Sequence, residues 1–198
     1  GLVRGCACRG TAGFAHVSCL AEQAKILFAE AEENNLGLKA RNQRWVRWHT
    51  CSLCEQKYHG VVVGALGWAC WKTYVGRPET DEVQRLAMTT LGNGLYAADR
   101  YEDALSVQEA ELSMLRRLGA PEKDLLMAQN NLAKTYQSLG RQEEAVRMKR
   151  DVYSGWLKFN GEEHRQTLIS ANNYANSLVR LERFEEAKAL LRRTVPVA

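Results

Sequence analysis

Apolar and polar positions alternate with helical periods along most of this chain. Leu20, Ala24, Leu27, Phe28 and Ala31 recur at the three-and-four spacing of one helix face, with Glu22, Gln23, Lys25 and Glu30 between them. The segment Ala21–Glu33 therefore predicts an amphipathic helix, and Asn34-Asn35 with Gly37 supplies its stop. Trp45 and Trp48 share a face at i, i+3 and are expected to pack around the cysteines beside them. The run Val61–Trp71 is apolar over eleven residues, well short of the roughly 18 a membrane span requires.

From Asp81 the pattern repeats. Three segments align without gaps: Leu91–Ala104, Leu132–Ala145 and Tyr174–Ala187. Their closing alanines, Ala104, Ala145 and Ala187, lie 41 and 42 residues apart. Each unit reads as helix, short turn, helix. A small residue inside the first helix (Gly92, Ala133, Ala175) and the alanine early in the second allow the two helices to approach closely. One such pair cannot bury its apolar face alone, so neighbouring units must stack.

Composition supports this helical reading. Hydrophobic residues make up 45% and charged residues 25%, which places the chain among folded rather than disordered proteins. Only three prolines interrupt the helix-favouring residues. The net charge of +4 comes from residues 1–80, which hold ten Lys/Arg against six Glu; the remaining residues are balanced. This excess forms no dense basic stripe, and Arg44 and Arg47 alone do not make one, so a nucleic-acid partner is not expected.

The first 54 residues add candidate chemistry. Cys6, Cys8, His16, Cys19, Cys51 and Cys54 are spaced as C-x-C, H-x2-C and C-x2-C. Zinc takes four nitrogen or sulfur ligands, and close pairs deliver two of them from one turn. A lone C-x2-C can be redox-active, and disulfides would need an oxidising compartment. Three pairs in order point to metal instead. Six ligands fill one and a half sites, and Gly1 is not an initiator Met, so a further C-x2-C pair is expected upstream. Cys70, between Trp68 and Trp71, is expected in the core, and His49 and His59 are expected to be packing or surface residues.

Cys6-Ala-Cys8-Arg9-Gly10-Thr11, Phe14-Ala-His16-Val-Ser-Cys19-Leu20 and Cys51-Ser-Leu-Cys54-Glu-Gln-Lys-Tyr58 together resemble a RING-CH (RING-variant) finger without its first cysteine pair. The resemblance implies a cross-brace. Cys6, Cys8, Cys51 and Cys54 would form a complete zinc site, and His16 and Cys19 half of a second. Asn130–Tyr136, Gly140–Ala145 and Gly161–Leu168 resemble the tetratricopeptide repeat in the longer form of kinesin light chains. Two departures are Gln142, where that family carries an aromatic residue, and Gly119-Ala-Pro-Glu122 in place of a Gly-x-x-His segment. The family resemblance implies that first helices line a concave partner-binding face. Asn93, Asn131, Lys134, Asn173 and Asn176 are its candidate contacts: amides for a peptide backbone, Lys134 for a carboxylate.

The expected fold is mainly α: a small zinc-binding RING-like module followed by an α-solenoid of about three repeats. Its expected divisions are a truncated finger with an inserted helix (1–60), a connecting helical segment (61–86) and repeats (87–198, at about 87–126, 127–168 and 169–198). The function expected first is a zinc-binding scaffold that takes a protein or peptide partner in the repeat groove. The alternative is a ubiquitin ligase that recruits a conjugating enzyme and selects substrates through the repeats. Ligase fingers of this type carry a Trp shortly after the His-x2-Cys-Leu, whereas here Cys19-Leu20 is followed by Ala21, Glu22 and Gln23. A hydrolytic zinc centre would need an open coordination position, which four thiolates do not leave. No Ser-His-Asp arrangement, phosphate loop or H-E-x-x-H motif appears. No membrane span is expected, and the expected compartment is the cytoplasm.

Overall fold

A computed structural model describes residues 1–9 and 13–194. Gly10 and Thr11 of the finger resemblance, and the last four residues of the third repeat, lie outside the described residues. A short antiparallel pair opens the chain, β1 (Val3–Arg4) with β2 (Phe14–Ala15), in register Val3 to Ala15. Then come α1 (Val17–Glu33), α2 (Leu38–Trp45), a 3-10 turn (Val46–Trp48) and α3 (Gly60–Tyr74). The rest is α4 (Glu82–Ala97), α5 (Tyr101–Arg117), α6 (Glu122–Ser138), α7 (Gln142–Asn160), α8 (Arg165–Arg180) and α9 (Phe184–Thr194). Two compact units divide at Val107/Gln108, within α5. Among the described residues no helix is long and apolar enough to cross a membrane.

In the first unit, α1 begins at Val17 rather than Ala21, so Cys19 sits in its first turn with His16 at the N-cap. Ala24, Phe28 and Ala31 form its buried face, as their spacing predicts. Asn34 caps the end, and Asn35 follows in the left-handed region at φ 50°. Trp45 and Trp48 depart from expectation. They do not surround the cysteines but pack with Phe28, Cys70, Tyr74, Val83 and Ala87 in a separate cluster. Ring centroids lie 4.8 Å apart for Phe28–Trp45, 5.3 Å for Trp45–Tyr74 and 6.0 Å for Trp48–Tyr74. The Trp45 indole N–H donates to Thr90 Oγ1 on α4 at 3.2 Å. The i, i+3 spacing correctly puts both rings on one side, but α1, α3 and α4 are what that side meets.

Helix α3 packs against both α1 and α4. Its seam with α4 is close: a Cβ on Gly94 would meet the Val63 carbonyl oxygen at 2.8 Å, and one on Gly67 would meet Leu91 Cα at 3.2 Å. Contact at backbone distance explains why an apolar helix carries Gly64 and Gly67, despite their cost to helix propensity. Cys70 is fully buried in this unit, and burial pushes its thiol well above the usual range.

The repeat pattern resolves into the pairs α4/α5, α6/α7 and α8/α9. One turn joins each pair. Asp99, Gly140 and Glu182 occupy the left-handed region at φ 59°, 77° and 58°. The next residue's N–H then reaches back to the helix: Arg100 to Leu95, Arg141 to Tyr136 and Arg183 to Leu178, at 2.9–3.0 Å. The same arginines pair three residues on with Asp103, Glu144 and Glu186, in the first turn of the second helix. The six small residues Gly92, Ala104, Ala133, Ala145, Ala175 and Ala187 are all buried. Gly119 (φ 61°) with Pro121 at the α6 N-cap, and Gly161 (φ 82°) with His164 at the α8 N-cap, make the corresponding links between pairs. Gly119-Ala-Pro-Glu122 is thus a second solution to the same turn. Gln142, in place of an aromatic, donates to the Gln137 carbonyl at 3.1 Å.

Candidate metal centre and repeat cleft

Cys6 and Cys8 lie on the segment between the two short strands, and Cys51 and Cys54 on a tight loop after the 3-10 turn. That loop is closed by the Cys51 N–H donating to Gln56 O at 2.9 Å and by the Glu55 N–H donating to Cys51 O at 3.2 Å. Glu55 takes the left-handed conformation (φ 57°) that turns the chain back. The two cysteine segments are held together by the His59 N–H donating to Gly5 O at 2.9 Å. Gly5 lies against α3, where any Cβ would meet Val62 Cβ at 2.5 Å. The Arg4 guanidinium donates to Cys8 O and that of Arg47 to Cys51 O. Cys6, Cys8 and Cys51 are buried among Tyr58, Val62, Val63 and Leu66, with Cys54 half-buried beside them.

The four sulfurs all lie within 4.8 Å of one another, and Cys8 and Cys51 are 3.7 Å apart. A cation about 2.3 Å from each of four tetrahedral sulfurs would hold them about 3.8 Å apart. All four are free thiols. Burial raises the Cys51 thiol. The backbone N–H groups of Cys54 and Leu53 and the thiols of Cys6 and Cys8 outweigh this and bring it down to about 7. Cys8 is pushed up to about 12, first by its hydrogen bond with Cys54, then by burial and the other two thiols. The Cys51 thiolate forms readily while Cys6 and Cys8 resist, so a divalent cation is what could hold these thiolates together. The cluster is able to hold a metal ion. Tetrahedral sulfur donor sets suit zinc or iron.

His16 and Cys19 converge separately, with Nδ1 to Sγ at 3.9 Å, and both are exposed. His49 is half-buried, with its carbonyl accepting from the Tyr58 N–H, and His59 is exposed. Neither joins the four-thiol group.

In the second unit, a cleft of about 500 Å³ is lined by Lys134 and Gln137 of α6, Lys149 of α7, and Asn173, Asn176, Val179 and Arg180 of α8. Three of the five candidate contacts, Lys134, Asn173 and Asn176, come together there. Asn173 also donates to Asn130 Oδ1 at 3.5 Å, across from α8 to α6. Asn131 is half-buried on α6 and does not line the cleft; Asn93 is exposed on α4 in the first unit. Sequence reasoning missed Gln137, Lys149 and Arg180. A signal for Lys149 exists, because it lies on the face of α7 that buries Val146, Val152 and Tyr153, where a lysine is out of place.

Residues 84–158 and residues 167–198 each match a tetratricopeptide repeat model, together more than half of the chain. No curated relative matches. Among solved structures, a Podosopora anserina protein, described as a putative kinesin light chain with nearly identical TPR-like repeats, is 19% identical with a TM-score of 0.55. That match covers 94% of this chain and 76% of the other. A substituted form of the same protein is also 19% identical, with a TM-score of 0.56, covering 90% of this chain and 74% of the other. BtubC (BKLC) from P. vanneervenii superposes with a TM-score of 0.61 at 14% identity, over 91% of this chain and 72% of its own. These similarities show a fold in common.

Proposed function

We infer, for a chain that carries tetratricopeptide repeats over residues 84–158 and 167–198, that it is a zinc-stapled scaffold for a protein or peptide partner. The observation that carries the zinc part is the convergence of Cys6, Cys8, Cys51 and Cys54 within 4.8 Å. These four residues would hold one structural zinc, closed to water, in a module similar to a RING-CH finger. His16 and Cys19 would supply half of a second site. The partner-binding part rests on the cleft of the second unit, where amide and cationic side chains line a space of ordinary ligand size.

Selection from a phage-displayed peptide library tests the partner reading. The expected result is a set of peptides whose affinity falls by about 1 kcal/mol in Asn173→Ala, the scale of one lost hydrogen bond. Asn131→Ala, outside the cleft lining, separates the repeat face as a whole from this cleft. Selected peptides that bind both variants and the parent equally would refute a repeat-face site.

A ubiquitin ligase is the second reading. It draws on Leu53, 68% exposed at the tip of the Cys51–Cys54 loop, where an apolar contact for a conjugating enzyme could form. Against it stand Ala21, Glu22 and Gln23, which offer no aromatic ring after Leu20. A discharge assay over a panel of ubiquitin-conjugating enzymes is expected to show no stimulation by this chain. Stimulation that disappears in Cys51→Ser would put the ligase first.

A further inference from the structure

Two successive repeats carry a buried polar link from their second helix to the next first helix. Gln108 and Lys149 each stand four residues after the aligned alanines, Ala104 and Ala145, and Thr135 and Ser177 are aligned in the same way. Thr135 Oγ1 donates to Gln108 Oε1 at 2.6 Å, and Lys149 Nζ donates to Ser177 Oγ at 2.7 Å. All four side chains are buried. A neutral amide therefore meets what the stacking requires at this position, and packing alone does not explain an amine at 149.

Lys149 Nζ also donates to Gln137 Oε1, so both of its acceptors are neutral. The charged groups that act on it are Arg180 of α8 and Lys134 of α6, both cations. Burial, then these two charges, push its ammonium down to about 8. A neutral amine has two N–H groups and one lone pair. Gln137 and Ser177 take both N–H groups, which leaves the lone pair for the cleft that Lys149 lines with Lys134, Asn173, Asn176 and Arg180. Burial and neighbouring cations are what make a lysine nucleophilic. Lys149 is 5% exposed, which favours a small electrophile.

We propose that Lys149 is a carboxylation site, whose amine takes up dissolved carbon dioxide and forms a carbamate at the base of the cleft. The nitrogen lone pair attacks carbon and an N–C bond forms. One C–O π bond opens onto oxygen, and the nitrogen releases one proton to solvent, with nothing oxidised or reduced. The product puts an anion where an ammonium would stand beside Arg180 and Lys134, so the charges that oppose the ammonium support the carbamate. An acyl or imine adduct would remove the lysine's charge without reversing it. The remaining N–H keeps one of its two acceptors, and the Asn173 and Asn176 amides line the cleft as donors for the carbamate oxygens. The site does not depend on a peptide occupying the cleft.

The test incubates the full chain with carbon-13-labelled bicarbonate at about pH 8, where the Lys149 amine is partly neutral. Triethyloxonium ion then traps carbamates as ethyl esters, and peptide mass spectrometry locates them. The labelled adduct on Lys149 is expected to be about tenfold more abundant than on Lys123 or Lys158, two exposed lysines outside the cleft. Arg180→Gln and Lys134→Gln, both at exposed positions, should each lower it severalfold. Lys149→Gln repeats the amide of position 108 and should lose the carbamate resonance in carbon-13 NMR while thermal melts show it folded. If it does not fold, the location of the adduct in the parent decides. No labelled adduct on Lys149, equal labelling of Lys123 and Lys158, or a Lys149 adduct unchanged in both cleft variants would overturn the proposal.

Discussion

Cys51→Ser is expected to abolish metal binding and unfold the cysteine-bearing region while the repeats stay helical. Cys51 is the buried member whose sulfur lies 3.7 Å from Cys8 and also accepts the Leu53 N–H. A serine hydroxyl is a poor metal ligand, and three remaining thiolates hold zinc far more weakly. Metal binding in small sites of this type contributes about 10–16 kcal/mol of apparent free energy near neutral pH. A typical domain is stable by only about 5–15 kcal/mol, so the loss is larger than local packing can offset. Elemental analysis should find about one zinc per chain in the reduced parent and none in the variant. Circular dichroism should show most helical signal retained, with the loss confined to the first unit in hydrogen exchange. Zinc-free parent protein with the same exchange pattern as the metal-loaded form would refute the structural metal.

Trp48→Ala should bring the second largest loss, about 3–5 kcal/mol, the range for removing a large buried aromatic. Trp48 is 1% exposed and packs on Tyr74 and Trp45 in the cluster that joins α1, α3 and α4. Its environment is closed on all sides, so the surroundings can relax only partly into the space. Chemical denaturation should show the first unit's transition moving to lower denaturant, and metal content should remain near the parent's in the folded protein. That last point separates the two clusters. Had the tryptophans surrounded the cysteines, Trp48→Ala would release metal along with stability. A variant that loses metal at once would contradict the packing.

The two readings of Trp48 show where legibility in the sequence stops. The ligand pairs were readable because they are close in sequence, while the joining of Cys6 and Cys8 with Cys51 and Cys54 was what the finger resemblance implied, and those four do converge. The helix over Ala21–Glu33 was readable because its apolar positions are periodic, although it starts earlier, at Val17. The tryptophans' spacing placed them on a common face, but a face does not name its neighbour. Val61–Trp71 was harder. It is apolar on nearly every side, so it has no period that could point to α4, and only Gly64 and Gly67 hinted at a close approach. The repeats were legible because the same turn recurs, with Arg100, Arg141 and Arg183 at matching positions. The cleft was only half legible. Lys134, Asn173 and Asn176 sit on aligned first helices, whereas Lys149 comes from a second helix and Arg180 from the end of α8, where alignment gave no reason to look.

Helix α3 has a bearing on how this protein could have been assembled from parts. Here Val62, Val63 and Leu66 close over Cys6, Cys8 and Cys51, while Gly67 of the same helix rests against Leu91 of the first repeat. A cut after residue 60 would leave the thiol cluster with an uncovered apolar flank. A cut after residue 86 would strip α4's glycine seam from the helix it fits. The thiol cluster and the start of the array therefore share one packed helix, and a cut at either point would leave an exposed apolar face.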